Sequence, residues 1–313
     1  MQKLSKTILF ASSIAVTATL ATYGQVTGNL GTSGQSYGSA LAVQGNPTGF
    51  GDSTVGDGTS AGGSELDAAY GVISGGNLNL FLSGNVEINT GSSGNANHWN
   101  IFIQGVGTGQ STLNIASSTE AAMNGSKFSP GFTPTLMLDA NNYAGTLYVD
   151  KVDLTTGPPA TQSYLGGITS PGGIGSATIG GITVGYNNTN AGGITGSSAT
   201  SAQALSVQTG LELQIPLSAL GNQSGPIMVM ADINGGNDGY MSNQILPGLP
   251  SGTSNLGSGG PYSAALNTGN GNYQGFDFSG TPGVYFTVVP EPSTIGLVVV
   301  GLLGALAIRR RKA

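Results

Sequence analysis

The sequence predicts an all-β protein, a jelly-roll-like β-sandwich with long Gly/Ser/Asn loops, and three observations predict it. First, the 313 residues include 55 glycines, and a glycine inside a helix costs about 1 kcal/mol relative to alanine. Second, only 7% of residues are charged, against roughly a quarter in an average soluble domain, so solvated helical faces are hard to build. Third, short runs of Val, Ile, Thr and Tyr recur between Gly, Ser and Asn clusters, the pattern of strands and turns.

The strands follow from the period. In NLNLFLSGNVEIN, Leu78, Leu80 and Leu82 alternate with Asn77, Asn79 and Phe81, which puts the leucines on one face of a half-buried strand. In NHWNIFIQGVG, Trp99, Ile101 and Ile103 share one face and Phe102 takes the other. Further strands are expected over residues 135–138, 145–150, 182–186, 211–215, 227–233 and 284–289, with long loops over 155–178 and 247–275. No fixed-period repeat runs through them, which favours a sandwich over a solenoid. One domain over 66–289 holds all of them. Residues 25–65, rich in Gly, Ser, Thr and Gln, read as a mobile or loosely paired N-terminal arm.

The charges are segregated. Between residues 25 and 290 two lysines, Lys127 and Lys151, face thirteen acids, a net charge of −11. That excludes a phosphate-binding surface and hence nucleic acid as a partner. With no cysteine, disulfides, thiol catalysis and zinc-thiolate sites are excluded together.

Both ends read as instructions. Lys3 and Lys6 precede an apolar stretch from Ile8 to Leu20 and then small residues before Gln25, the order of a secretory signal peptide over 1–24. At the other end, Ile295 to Ile308 carries no charge and is followed by Arg309, Arg310, Arg311 and Lys312. As a helix this run is roughly 21 Å long, shorter than the roughly 30 Å hydrocarbon core. Starting the transmembrane helix at 294, with snorkelling arginines and local thinning, brings it close to spanning. The basic tail then marks the cytoplasmic side and places everything before Pro290 outside the cytoplasm.

Pro290-Glu291-Pro292, the following Ser293-Thr294, the apolar run with Gly296, Gly301 and Gly304, and the closing basic tail together resemble the PEP-CTERM sorting signal of Gram-negative bacteria. The resemblance covers about 24 residues, 290–313. It implies recognition by a membrane-embedded exosortase and processing near the Pro-Glu-Pro, with the apolar run as a transient anchor in the inner membrane, while the N-terminal leader implies the general secretion machinery and signal peptidase as partners. It further implies delivery to the outer cell envelope or extracellular matrix. The local physics fits: two prolines keep the tripeptide extended and out of the helix. Four later segments, VGYNNTNAGGITG, TGLELQIPLSALG, IMVMADINGGNDGYMSNQILPGL and GVYFTV, resemble the layout of family 9 carbohydrate-binding modules and DOMON-like β-sandwiches. That resemblance carries over no binding residue.

Catalytic groups are sparse. His98 is the only histidine and no nucleophile motif accompanies it, so a Ser-His-Asp arrangement is not expected; it reads as a strand-edge polar residue or as part of a ligand surface with Trp99. Asp139, Asp150, Asp153, Glu212, Asp232 and Asp238 could supply a carboxylate pair, but spacing along the chain does not show any pair converging, and Asp150 and Asp153 read as a strand-to-strand turn. In Asp232-Ile233-Asn234-Gly235-Gly236-Asn237-Asp238-Gly239 the oxygens of Asp232, Asn234 and Asp238 suit either a structural turn or a calcium loop. Gly236 at the fifth position and Asn243 at the twelfth exclude an EF-hand. Trp99 and Tyr240 are the aromatic candidates for stacking on a sugar. The function expected is that of a non-catalytic exported envelope or matrix protein without a required cofactor. An exopolysaccharide-binding module is the alternative, and a secreted hydrolase ranks last.

Overall fold

A computed structural model describes residues 25–48, 64–88, 97–116, 119–170, 173–190, 193–194, 200–235, 238–257, 262–263 and 275–291. The expected signal peptide, the transmembrane helix 294–308, Pro292 and the basic tail Arg309 to Lys312 lie outside these residues. Among the described residues no helix is long and apolar enough to cross a membrane.

Two antiparallel sheets face each other. The first is six-stranded, β1(Ala42–Val43), β2(Glu65–Ser74), β3(Asn77–Asn85), β10(Gly210–Pro216), β9(Ile182–Asn187) and β8(Ile174–Ile179), in that spatial order. The second runs β12(Tyr240–Leu246), β11(Ile227–Gly235), β4(His98–Gln104), β5(Leu136–Tyr143), β6(Thr146–Asp153) and β7(Thr161–Thr169), and β15(Phe286–Val288) joins the free part of β11. A short parallel pair, β13(Tyr262–Ser263) with β14(Phe276–Asp277), stands apart. The all-β sandwich is as the composition implies.

The alternation decides what each face buries. Leu78, Leu80 and Leu82 of β3 meet Trp99, Ile101 and Ile103 of β4 in the core between the sheets. Phe81 points the other way and packs with Tyr70, Leu30 and Tyr37. Phe102 likewise leaves the main core and joins Phe128, Phe132, Phe276, Met137 and Met230 beneath the chain that covers the outer face of the second sheet. Each buried side chain of this size contributes about 1.5–3 kcal/mol. Tight two-residue turns link the β2–β3, β5–β6 and β8–β9 hairpins, with positive φ at Gly75 and Gly76, Ala144 and Gly145, and Gly180 and Gly181, the geometry that matches strand twist.

Two expectations are corrected. The presumed loop 155–178 contains β7 and much of β8. Both are largely exposed, glycine-containing strands that give the core only Ile168 in full and Leu165, Ala177 and Ile179 in part, so they lack the apolar pattern that marks a strand. Residues 25–48, read as a loose arm, are instead docked. Val26, Gln44 and Asn46 are buried, β1 pairs with β2, and the carboxylate of Glu212 on β10 gathers the segment. Glu212 accepts from the backbone N–H of Thr27 at 2.7 Å and of Gly28 at 3.0 Å, and from the hydroxyls of Ser33 and Tyr37. The buried Gln44 amide is similarly tied to Gln244 at 2.7 Å and to the Leu66 carbonyl at 3.1 Å.

Candidate functional site

The outer face of the second sheet is apolar at one end and polar at the other. The register sets the polar end as two rungs crossing the strands. Asp232 stands opposite Asn100, Asn100 opposite Asp139, and Asp139 opposite Asp150. In the next rung Asn234 stands opposite His98, His98 opposite Asn141, and Asn141 opposite Tyr148. Two pieces close over these rungs: a 3-10 helix, Glu120–Met123, and the β11–β12 turn, which brings in Asp238 at φ +60°, a conformation Asp tolerates better than most residues.

Contacts inside the cluster are close. His98 Nδ1 lies 2.8 Å from both oxygens of Asp139 and 3.9 Å from Asp238 Oδ2. The Asn100 amide donates to Asp232 Oδ1 at 3.0 Å and to Asp238 Oδ1 at 2.7 Å. Asn100 and Asn234 both set Nδ2 against the Met123 sulfur, at 3.6 and 3.3 Å. Gln162 Nε2 donates to Glu120 at 3.0 Å. Asn100, Asp139, Asp232, Asn234 and Asp238 are buried or nearly so. A pocket of about 130 Å3 opens beside them, lined by His98, Glu120, Asp139, Asp150 and Gln162.

Burial dominates the electrostatics. It raises Asp139 to about 8 even though His98 pulls the other way, and it raises Asp150 to about 6 with help from the charge of Glu120. Asp232 is pushed well above the carboxylate range by burial, which outweighs the hydrogen bond from Asn100. Two triads bring ligand atoms within 4.8 Å of one another, His98 with Asp139 and Asp238, and Glu120 with Asp139 and Asp150. Such an arrangement can hold protons or a cation.

Of the residues singled out from the sequence, the structure brings Asp232, Asn234 and Asp238 into this cluster, not as consecutive ligands of one loop but across the ladder. His98 belongs to it: it opens β4, at the strand start where the sequence places it, but β4 is an internal strand and the side chain is buried against the carboxylates. Asp150 is also corrected, from turn to mid-strand. Asp153 ends β6 and accepts from Thr155 N–H at 2.9 Å. Trp99 is fully buried between the sheets and presents no face to a sugar, which overturns its assignment to a binding surface. Tyr240 is 36% exposed and borders a separate pocket of about 450 Å3 with Pro47, Asn243 and Thr253. Sequence reasoning missed Asn100, Glu120 and Gln162. The alternation of polar residues with Trp99, Ile101 and Ile103 marks Asn100 as facing away from the core, but nothing local marks the other two.

At the C-terminal edge Val288 is buried while Val289 is 58% exposed. Pro290 bridges Ile73 of β2, and Glu291 N–H donates to the Ile73 carbonyl at 3.1 Å. Residues 288–312 match the PEP-CTERM protein-sorting motif. The chain carries an exosortase sorting signal. The PEP-CTERM signal marks an exported protein that exosortase processes and that is destined for the cell envelope. No curated protein and no solved structure matches the chain significantly.

Proposed function

We propose that this PEP-CTERM protein is a non-catalytic envelope or matrix component whose delivered unit is the β-sandwich. One observation carries the reading: the sorting motif begins in β15, so a single residue, Val289, separates the last core side chain from the Pro-Glu-Pro. The signal therefore leaves the sandwich with almost no linker. On this reading the apolar run after Pro292 anchors a precursor in the inner membrane, the arginines orient it, and exosortase releases it near residues 290–292. The test replaces Pro290, Glu291 and Pro292 with alanine in the full chain. Cell fractionation with intact-mass measurement is expected to find an unprocessed precursor in the inner membrane, and normal processing and fractionation would refute the role of the tripeptide.

A second reading, binding of exopolysaccharide, is favoured by the Tyr240 pocket, where a part-exposed ring shares the lining with the more accessible polar residues Ser254 and Asn255, the mix that suits a sugar's apolar face and hydroxyls. Tyr240→Ala is then expected to abolish retention on the host's own exopolysaccharide without lowering the melting temperature. Equal retention of both proteins would remove this reading.

A further inference from the structure

We propose that the polar end of the second sheet is a binding site for one oxygen-preferring divalent cation of the calcium class, held between Asp139, Asp232 and Asp238 with the side-chain carbonyls of Asn100 and Asn234. His98 lies at its side as the hydrogen-bond partner of Asp139.

The starting point is charge. Three carboxylates with at most 1% exposure share this corner of the sheet with a single imidazole, which lies 2.8 Å from Asp139 and 3.9 Å from Asp238, while Asp232 is joined to Asp238 through the Asn100 amide, a cation deficit that a buried site does not tolerate without protons or a metal. A second observation points to a metal. Asp232 Oδ2, Asp238 Oδ2, Asn100 Oδ1 and Asn234 Oδ1 are buried and meet no donor among the described residues. These four atoms are oxygens, which need a donor or a cation rather than one further acceptor. They also converge. The Asn100 amide spans Asp232 and Asp238 at 3.0 and 2.7 Å, while Asp238 Oδ2 stands 3.9 Å from the His98 nitrogen that touches Asp139.

The donor set selects the ion. Carboxylate and amide oxygens suit a hard cation, whereas zinc and copper favour imidazole and thiolate. The Asn234 amide is turned with its nitrogen toward the Met123 thioether, a weak acceptor, so its rotation toward a bound ion gives up little, whereas Asn100 would exchange its contacts with Asp232 and Asp238 for the ion that then bridges those carboxylates. The elements are rigid where it matters. Four of the five ligands stand on adjacent strands of the ladder, and only Asp238 comes from a turn, which offers an entry path. Glu120 and Asp150 border the adjoining pocket and add negative potential at its mouth.

The test strips the full-length protein with a chelator and titrates calcium chloride while recording melting temperature and, by native mass measurement, bound metal. One calcium per chain and a rise in melting temperature with calcium concentration are expected. Asp238→Asn keeps the acceptor for Asn100 and suits the left-handed turn, and it is expected to weaken calcium binding at least about tenfold by removing a ligand charge. Asp232→Asn provides an independent variant should the first fail to fold. No bound calcium and no shift at millimolar concentration would overturn the proposal, as would undiminished affinity in the folded variants. Binding of zinc without calcium would overturn the oxygen-class assignment.

Discussion

Replacing Glu212 tests how the chain after the leader is secured. Its carboxylate is fully buried and accepts from Thr27 N–H, Gly28 N–H, Ser33 Oγ and Tyr37 OH. A hydrogen bond to a charged group contributes about 1.5–3 kcal/mol, and an abandoned buried donor costs about 1–3 kcal/mol. The four do not add. Thr27 and Ser33 are only half-buried and recover water, while Gly28 N–H lies in a buried contact. Glu212→Ala is therefore expected to cost about 3–5 kcal/mol, the range for breaking a buried charged network, and Glu212→Gln about 1–3 kcal/mol because one acceptor survives. At about 1.4 kcal/mol per factor of ten, a 3 kcal/mol loss makes local opening roughly a hundredfold more frequent. Hydrogen exchange read by mass spectrometry should show this at the amides of residues 27–34, several of which are bonded to Glu212 or to neighbouring carbonyls. If the segment and the sandwich melt together, the loss appears instead as a lower melting temperature. Unchanged exchange at residues 27–34 together with an unchanged melting temperature in Glu212→Ala would refute the reasoning.

Three further outcomes follow from the same physics. Asp67 is fully buried, and its carboxyl is pushed well above the usual range first by burial and then by the charge of Glu65; the folded state holds this proton to higher pH than the unfolded chain does, so the pair's contribution to stability falls as pH rises above the unfolded carboxylate range. Asp67→Asn should therefore gain melting temperature over the wild type increasingly as pH rises above the unfolded carboxylate range, and a constant offset would contradict the assignment. A Cβ on Gly71 would sit 2.8 Å from Val288 Cγ2, so Gly71→Ala is expected to cost about 1–3 kcal/mol by overpacking against β15, read as a lower denaturant midpoint. Trp99→Ala should cost about 3–5 kcal/mol, as for a core aromatic, whereas a loss below about 1 kcal/mol would mean the ring is not packed between the sheets.

Legibility in the sequence tracked locality. Leu78, Leu80 and Leu82, and likewise Trp99, Ile101 and Ile103, could be assigned to one face because alternation is a property of consecutive residues, and the structure bears both out. β7 and β8 were not legible, since TQSYLGGIT and IGSATI bury few apolar groups and owe their conformation to hydrogen bonds with neighbouring strands. The same holds for residues 25–48. Their composition is that of an arm, yet Glu212, about 180 residues away along the chain, supplies the acceptor that docks them.

By itself the sequence determined the destination. The sorting motif is read as a linear signal, with its prolines, apolar run and cations carried on about two dozen adjacent residues, so no fold is needed to recognise it. It also determined the all-β class, through glycine content, scarce charge and a period of two. Only the tertiary structure decided where the polar residues meet. His98, Asn100, Asp139, Asp150, Asp232 and Asp238 are spread over 141 positions. The register of β11, β4, β5 and β6, which no single strand encodes, draws all but Asp238 onto two adjacent rungs of one face. The β11–β12 turn supplies Asp238. That same packing took Trp99 out of any binding surface, because side chains on opposite faces of one strand meet different environments: Trp99 enters the dry core, and its neighbours His98 and Asn100 enter the carboxylate cluster.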